Sequence, residues 1–200
     1  MKVIALTGWS ESGKDTVADI LSDQYGFKKY AIAGPLKALC SQLYGFPLEL
    51  ANTQEGKKKP WTVGYKIKTI RDLLLETAIV DRSRFGDCVY IHEVLKNISL
   101  ENHPAVVITD LRYFTELDAI RKHVRNHGDF FEVWRVVREG QNASPVDDPS
   151  EYALQSLTPN FIIKNNGTSL EALKEKVSEA ITRKNELSTS KDEDDGCCIM

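Results

Sequence analysis

The sequence of 200 residues lacks the features of membrane, secreted and nucleic-acid-binding proteins. No segment approaches the ~18 consecutive apolar residues of a membrane span, and the apolar run at the N-terminus is too short for a signal peptide and lacks a small-residue cleavage site. The net charge is only −3, and no basic stretch indicates a nucleic-acid surface. We therefore expect a cytoplasmic protein with no nucleic-acid partner.

Cysteine is also scarce, with Cys40, Cys88, Cys197 and Cys198 the four present, and their spacing matches no metal-binding motif. Cys40 and Cys88 stand in apolar stretches, where reduced and buried thiols are usual. We therefore assign no chemistry to the cysteines.

The length and composition suit one compact domain. The chain has 42% hydrophobic and 28% charged residues, which is enough for a sizeable core. Negative charge is concentrated at the end, where residues 187–200 contain one lysine and four acidic residues. We predict a single domain over residues 1–186, followed by a disordered acidic tail over residues 187–200.

Hydrophobic periodicity predicts an alternation of strands and helices along the chain. The predicted strands are KVIAL, KKYAIA, AVVIT, FFEVWRVV and NFIIK. Helices are predicted at KDTVADILSDQYG, GPLKALCSQLYG, IKTIRDLLLETAIV, TELDAIRKHVRN and SLEALKEKVSEAITRKNEL. Residues 47–66 show no periodicity and are predicted to be irregular, and REGQNASPVDDPS is predicted to be a mobile loop. This order predicts a three-layer α/β/α fold with about five mostly parallel strands, whose ligands bind at the carboxyl ends of the strands.

The segment LTGWSESGKDT has the pattern of a phosphate-binding loop, because it follows a predicted strand and opens a predicted helix. Gly8 and Gly13 would let the backbone approach a phosphate chain closely. Lys14 would place a positive charge between the terminal phosphates. Ser10 and Ser12 would add hydrogen-bond donors. The pattern favours a nucleotide site over a chance turn.

Asp15 stands where such a loop usually carries Ser or Thr. A carboxylate beside a triphosphate is repelled unless a cation lies between them, so Asp15 is predicted to hold Mg²⁺, directly or through water. Thr16 is an auxiliary candidate for the same ion. The alternative is that Asp15 only interacts favourably with the helix dipole, and the two roles are compatible.

Two further segments carry charged candidates at strand ends. Asp110 ends the predicted strand AVVIT, where it could order the magnesium shell, accept a proton from the acceptor, or merely cap the next turn. Arg112 follows two residues later. Arg135 and Arg138 end another strand on opposite faces, and we favour Arg138 because it is nearer the predicted mobile loop.

Other candidates are expected to border an acceptor or a base. Lys37 and Arg71 lie on helices that should border an acceptor pocket, unless they are ordinary surface charges. Trp61 would either stack on a base or belong to a small hydrophobic cluster under a loop. The turn with Asn165 and Gly167 would either lie against an adenine edge or serve only as a turn.

The chain resembles the deoxynucleoside monophosphate kinases of bacteriophages and other large DNA viruses, and the similarity covers nearly all of residues 2–182. Seven segments carry it in order: GWSESGKDT, AGPLK, TIRDLLLE, VVITDLR, VWRVVRE, DDPSEYAL and FIIKNNGTSLEAL. The resemblance implies a P-loop fold like that of nucleoside monophosphate kinases, ATP and Mg²⁺ as co-substrates, a (deoxy)nucleoside monophosphate acceptor, and often a homodimer. Asp after the P-loop lysine is a feature of this group.

The resemblance also implies roles for individual residues. It implies an acceptor-binding excursion over about residues 47–80 and a lid over about residues 139–158. The matched positions are Gly8, Gly13, Lys14, Asp15 and Thr16 in the phosphate loop, Arg71 facing the acceptor, Asp110 and Arg112 as a strand-end pair, and Arg138 at the start of the lid. Two departures concern the identity of the acceptor: Asp148 replaces a lid histidine, and ETA replaces a GTE-like turn after the Arg71 helix.

Three other functions remain open at this stage. Animal-type phosphomevalonate kinases are similar to the same motifs and are the main alternative. A regulatory nucleotide-binding protein is another. The terminal CCIM fits a prenylation box, as in lipid-anchored GTPases, but the sequence lacks Asn-Lys-x-Asp and the Ser or Thr that follows the loop lysine in those proteins. Membrane association is expected only if this box is lipidated.

Overall fold

The computed structural model describes residues 1–140, 157–167 and 169–189. Seven strands and eight helices lie in this part of the chain. In order they are β1 (Lys2–Thr7), α1 (Lys14–Tyr25), β2 (Lys28–Ala31), α2 (Gly34–Tyr44), α3 (Leu48–Asn52), α4 (Gln54–Lys58), β3 (Pro60–Val63), β4 (Lys66–Thr69), α5 (Ile70–Phe85), α6 (Val89–Glu101), β5 (Ala105–Thr109), α7 (Phe114–His127), β6 (Phe130–Val137), β7 (Phe161–Lys164) and α8 (Leu170–Thr189).

The five predicted strands form one parallel sheet in the order β2-β5-β1-β6-β7. The central strand β1 pairs Ile4 with Val107 of β5 on one side and with Glu132 of β6 on the other. Residues 3–7 of β1 are all buried, which explains why this strand is an uninterrupted apolar run and not an alternating one. The predicted α/β fold with mostly parallel strands is confirmed.

Helices cover both faces of the sheet. Val3 and Ala5 face one way and pack in a cluster with residues of α6 and α7, including Ile91 and Ile120. Alternate residues of β1 face the other way, where Ile4 and Leu6 belong to a cluster with Val17 and Leu21 of α1 and Leu173 and Val177 of α8. Strand alternation therefore divides the core into two layers, as the three-layer prediction requires.

The carboxyl ends of β1 and β5 lie next to each other. The backbone N–H of Leu111 donates to the carbonyl oxygen of Leu6 at 3.1 Å, so the chain leaving β5 passes beside the end of β1. The segments that begin at Gly8 and Asp110 therefore start side by side. This edge of the sheet is where folds of this class bind their ligands.

The prediction that residues 47–66 are irregular is wrong. They form α3, α4, β3 and the start of β4, and β3 pairs with β4 as an antiparallel hairpin. Thr53 caps α4 by accepting the backbone N–H of Gly56 at 3.0 Å. Elements this short show no clear sequence period and are stabilised mainly by tertiary packing. Here they pack around a third cluster that contains Phe46, Ala51 and Trp61.

One helix boundary differs from the sequence prediction, and one helix was absent from it. The helix predicted from Ile67 begins at Ile70, after β4, where Thr69 and Asp72 form a capping box. Helix α6 was not predicted, although its buried residues Tyr90, Ile91, Val94, Leu95 and Ile98 share one face at helical spacing.

The predicted lid and tail fall almost entirely outside the described residues. Of the lid, residues 139, 140, 157 and 158 are described, and the position of Asp148 is not. The last helix continues to Thr189, three residues into the predicted tail. Among the helices described, none is both long enough and apolar enough to cross a bilayer.

We predict that Gly56→Ala destabilises the protein. A Cβ at Gly56 would lie 2.2 Å from the carbonyl oxygen of Leu50 and 2.6 Å from Oγ1 of Thr53, so the α3–α4 unit would have to shift. Overpacking of this kind costs about 1–3 kcal/mol, measurable as a lower midpoint in urea unfolding. Gly34→Ala is the control, because a Cβ there has no neighbour within 4 Å. Equal stability of the two variants would contradict the prediction.

Candidate active site

The loop between β1 and α1 requires glycine at both ends. Gly8 has φ 143° and Gly13 has φ 101°, which are conformations that other residues rarely adopt. A Cβ on Gly8 would lie 2.2 Å from the carbonyl oxygen of Val136, so the loop packs directly against the backbone of β6. The two glycines thus let the loop curve tightly at the carboxyl edge of the sheet.

The ammonium group of Lys14 is held inside this loop. Lys14 is only 8% exposed. Nζ donates to the carbonyl oxygens of Gly8 at 2.9 Å and Trp9 at 2.7 Å. The positive charge is therefore already in position before any phosphate binds, which lowers the cost of ordering the side chain.

Buried hydroxyl groups around the loop have unused hydrogen-bonding capacity. In the described part of the chain, no partner is found for Oγ of Ser12, Oγ1 of Thr7 or Oγ1 of Thr109. Buried polar atoms normally have partners. All three residues lie in the loop or at the carboxyl ends of β1 and β5, so these atoms indicate a region adapted to a polar ligand.

The turn after β7 supports the phosphate loop from the other side. Nδ2 of Asn165 donates to the carbonyl oxygen of Ser12 at 2.9 Å. Arg138 lies beside this turn, with one guanidinium nitrogen 3.4 Å from the place where a Cβ on Gly167 would be. The structure therefore places Asn165 against the phosphate loop and Arg138 beside Gly167 of the same turn, while their roles toward a base or a phosphate stay predictions.

Asp15 is exposed and already paired with a cation. Its side chain is 78% exposed, and its carboxylate lies 3.3 Å from Nζ of Lys29, which also contacts Asp19 at 2.9 Å. Burial acts to lower the pKa of Lys29, but the hydrogen bond from Lys29 to Asp19 and the charge of Asp15 raise it overall. The ammonium of Lys29 therefore stays charged and holds both carboxylates on the β2 side of α1.

The oxygen donors near the loop suit a magnesium ion that arrives with a nucleotide. Asp15 and Thr16 lie in the first turn of α1, and Asp110 starts the segment after β5. Their side chains carry the oxygen ligands that Mg²⁺ prefers. Within the described residues there is no group of three or more His, Cys, Asp or Glu side chains that could hold a metal. This donor set fits an ion held mainly by phosphates and water.

A cationic cluster, defined here as Lys37, Lys57, Arg71 and Arg112, lies near Asp110 at the end of β5. Burial lowers the pKa of Lys57, and the positive charges of Lys37, Arg71 and Arg112 lower it further, whereas the charge of Asp110 opposes them. These charges act on one ammonium group although they come from α2, from α5 and from the loop after β5. The structure thus brings together Lys37, Arg71 and Arg112, the three cations predicted from the sequence.

Lys57 was missed by the sequence analysis. It belongs to a run of three lysines, and Lys58 and Lys59 are exposed while Lys57 is partly buried. Nothing in the run distinguishes one lysine from the next. Only the formation of α4, which was predicted to be irregular, turns Lys57 toward the other cations.

Glu116 was missed as well, and it shapes the loop that carries the strand-end pair. It is 2% exposed, and its Oε2 accepts the backbone N–H groups of Arg112 at 3.0 Å and Tyr113 at 3.1 Å. Its Oε1 lies 3.4 Å from a guanidinium nitrogen of Arg82. Burial raises the pKa of Glu116, and these bonds oppose the shift. Asp110 precedes this loop in a left-handed conformation, with φ 64°.

Trp61 lies in the hydrophobic cluster, which is the second of its two interpretations. Its indole N–H donates to the carbonyl oxygen of Tyr44 at 2.9 Å. Its ring packs edge-to-face on Phe46, with the ring centroids 6.1 Å apart and the planes at 84°. Arg135 is held in a similar way, because its guanidinium donates to the carbonyl oxygen of Leu157. Both residues stabilise the framework around the site.

Comparison with known proteins identifies the family. A family model described as deoxynucleotide monophosphate kinase matches residues 2–57. A protein of Acanthamoeba polyphaga mimivirus, named as a deoxynucleotide monophosphate kinase, is 30% identical over 183 residues, which cover 86% of this chain and 91% of that protein. The chain belongs to the deoxynucleotide monophosphate kinase family. It is accordingly a kinase, an enzyme that transfers phosphoryl groups.

Other similarities of this kinase are more local or more distant. The deoxynucleotide monophosphate kinase of Enterobacteria phage T4 is 44% identical over 45 residues, or 22% of this chain and 19% of that protein. Among solved structures, a gluconokinase from Sinorhizobium meliloti 1021 has 11% identity and a TM-score of 0.49, covering 95% of this chain and 97% of that one. The two curated relatives favour the nucleotide kinases over the phosphomevalonate kinases and the GTPases.

We predict that Lys57→Met stabilises the folded kinase at neutral pH. The gain should be only about 0.5 kcal/mol, because partial exposure to water screens the repulsion among the cations. The pKa of Lys57 in the folded state lies below its ordinary value of 10.5. Between these two pKa values the unfolded chain binds more protons than the folded protein does. The stability of the wild-type protein therefore rises with pH in this interval. The advantage of methionine should consequently shrink at high pH.

Urea unfolding at pH ~7 and pH ~9.5 would measure this difference. Lys58→Met is the matched control, since it removes the same charge from the exposed neighbouring lysine. An advantage that is equal for both variants, or independent of pH, would contradict the account of Lys57.

Proposed function

We propose that this kinase transfers the γ-phosphoryl group of ATP to a deoxynucleoside monophosphate and so forms the diphosphate. The observation that supports this most directly is the juxtaposition of two anion-binding regions. The glycine-bounded loop with Lys14 lies at the end of β1, and the cationic cluster surrounds the start of the segment after the adjacent strand β5. A reaction between two phosphate groups needs such a pair of regions.

On the donor side, the phosphate loop would bind the β- and γ-phosphates of ATP. The backbone N–H groups that open α1 point toward this position, and Lys14 would exchange its bonds to the Gly8 and Trp9 carbonyls for bonds to phosphate oxygens. Ser10, Ser12 and Thr16 supply hydroxyl groups around the same loop. Asn165 and Gly167 would border the adenine.

On the acceptor side, the cationic cluster would hold the monophosphate. Arg71 and Arg112 offer planar guanidinium groups that can bind a phosphate through two parallel hydrogen bonds. Lys37 and Lys57 add point charges. A phosphate oxygen of the acceptor is already ionised, so the attack requires alignment and charge neutralisation rather than a strong base. Asp110 would then balance the cluster and orient it, or order the water around Mg²⁺.

Mg²⁺, when bound with ATP, would neutralise phosphate charge and help to align the transferring group. Asp15 and Thr16 are the residues that we propose to hold it, directly or through water. We also propose that Arg138 acts on the γ-phosphoryl group, since it lies beside Gly167 in the turn that contacts the phosphate loop. Residues 139–158, which follow Arg138, would form the lid that the resemblance implies.

We propose a cytoplasmic location, and we retain the homodimer that the resemblance implies. Exposed leucine and isoleucine side chains support a protein–protein contact: Leu39 and Leu43 on α2 are 42% and 62% exposed, and Leu75 and Ile79 on α5 are 51% and 68% exposed. Membrane association through the CCIM segment stays a prediction that depends on its lipidation.

The proposed function predicts ADP release from ATP and Mg²⁺ in the presence of one or two deoxynucleoside monophosphates. A coupled assay would compare dTMP, dGMP, dCMP, dAMP, their ribonucleotide counterparts and mevalonate 5-phosphate. Lys14→Met should lower turnover at least about a hundredfold with the fold retained, because the charge between the phosphates is lost. Turnover with mevalonate 5-phosphate alone, or no turnover with any acceptor despite tight ATP binding, would contradict the proposed acceptor.

A pair of variants tests the role of Asp15. Asp15→Asn and Asp19→Asn each remove one carboxylate partner of Lys29, but only Asp15 directly follows the loop lysine and is proposed to hold the metal. We expect Asp15→Asn to raise the Mg²⁺ concentration for half-maximal turnover about tenfold and Asp19→Asn to leave it unchanged. An equal change in this Mg²⁺ concentration in both variants would mean that Asp15 acts only as an ion-pair partner of Lys29.

A further inference from the structure

One glutamine connects the donor and acceptor sides of the site. Gln54 is the first residue of α4. Its Oε1 accepts a hydrogen bond from a guanidinium nitrogen of Arg71 at 2.9 Å, and its Nε2 donates to Oγ of Ser10 at 3.4 Å. One side chain therefore contacts both the arginine proposed for the acceptor and the hydroxyl of the phosphate loop.

From this geometry we propose that Gln54 is a positioning residue that sets the distance and direction of the acceptor phosphate relative to the γ-phosphate of ATP. The proposal rests on the function proposed above. Gln54 would act through Arg71 and Ser10, without touching the reacting atoms.

The chemistry of the amide group suits this role. A guanidinium only donates hydrogen bonds, so the amide oxygen must face Arg71, and the amide nitrogen must then face Ser10. The amide is also neutral, so it fixes the direction of Arg71 without cancelling its charge. A carboxylate at the same position would keep both hydrogen bonds but would compete with the acceptor phosphate for the arginine.

The framework behind Gln54 is well defined. Thr53 caps α4, and Gly56 packs tightly between Leu50 and Thr53. The end of this segment is tied to the start of α5, because the backbone N–H of Ile70 donates to the carbonyl oxygen of Lys59 at 3.2 Å. Gln54 and Arg71 therefore lie on two elements whose separation is fixed by the backbone.

The hydrogen bonds of Gln54 to Arg71 and Ser10 would control how the acceptor phosphate is aligned with the γ-phosphate. Phosphoryl transfer depends on reacting atoms held about 3–3.5 Å apart and in line, and a displacement of about 1 Å is costly. Loss of Gln54 should therefore affect the turnover and binding of the acceptor. It should leave the binding of ATP alone, since the glycines and Lys14 of the loop are untouched.

The test is a kinetic comparison of Gln54→Ala and Gln54→Glu with wild type, using the best acceptor from the nucleotide panel. We expect kcat/KM for the acceptor to fall about tenfold in Gln54→Ala, the usual effect of losing a hydrogen bond to a charged group. In Gln54→Glu, KM for the acceptor should rise further than in Gln54→Ala. The Kd for ATP should stay within about twofold of wild type in both. Glu55→Ala, in the exposed neighbour on α4, is the control.

A double-mutant cycle separates positioning from a merely structural contribution. If Gln54 acts mainly through Arg71, then Gln54→Ala should lower kcat/KM by no more than about twofold in an Arg71→Ala background. A structural contribution would instead lower the urea midpoint equally in both backgrounds. Wild-type kinetics in Gln54→Ala, or a full tenfold loss in the Arg71→Ala background, would overturn the proposal.

The failure of this proposal can be distinguished from failure of the proposed function. If the wild-type kinase phosphorylates a deoxynucleotide and the Gln54 variants match it, only the positioning role is lost. If wild type phosphorylates no nucleotide on the panel, the proposed function fails and the role of Gln54 fails with it.

Discussion

The site depends on the parallel pairing of β1 with β5 on one side and β6 on the other. Because all three strands run in the same direction, the segments that follow them emerge at one edge of the sheet. The phosphate loop after β1, Asp110 after β5 and Arg138 after β6 therefore start at neighbouring strand ends, although they lie far apart in the sequence. The pairing of β1 on both edges and its burial on both faces fix its place at the centre of the sheet.

The cationic cluster places like charges close together. Lys37, Lys57, Arg71 and Arg112 repel one another, and this repulsion adds to burial in lowering the pKa of Lys57. Neutral amides and one carboxylate limit the repulsion: Asn52 accepts from Lys37 at 3.2 Å, Gln54 accepts from Arg71, and Asp110 opposes the positive charges. Such stored repulsion is characteristic of binding sites, where a ligand of opposite charge relieves it.

Sequence patterns predicted the elements that obey a simple period or a strict local rule. The five strands, the phosphate loop with Gly8 and Gly13, and most helices were found in this way. The short elements α3 and α4 were not, because five-residue helices carry no useful period. Helix α6 does carry this period, because its buried apolar residues repeat at helical spacing. Lys57, Glu116 and Gln54 gave no signal that separates them from ordinary polar residues.

The sequence by itself determined the phosphate loop, because this loop is a local structure: its glycines, its lysine and the helix that follows are consecutive residues. The tertiary structure alone decided how the cationic cluster and the loop after β5 are arranged. There the partners stand far apart in the chain, as Gln54 does from Ser10 and Arg71, or Glu116 from Arg82. Their roles come from distances between elements, and packing of the core sets those distances. The same packing placed Trp61 beneath the excursion, against Phe46, where its indole supports the fold.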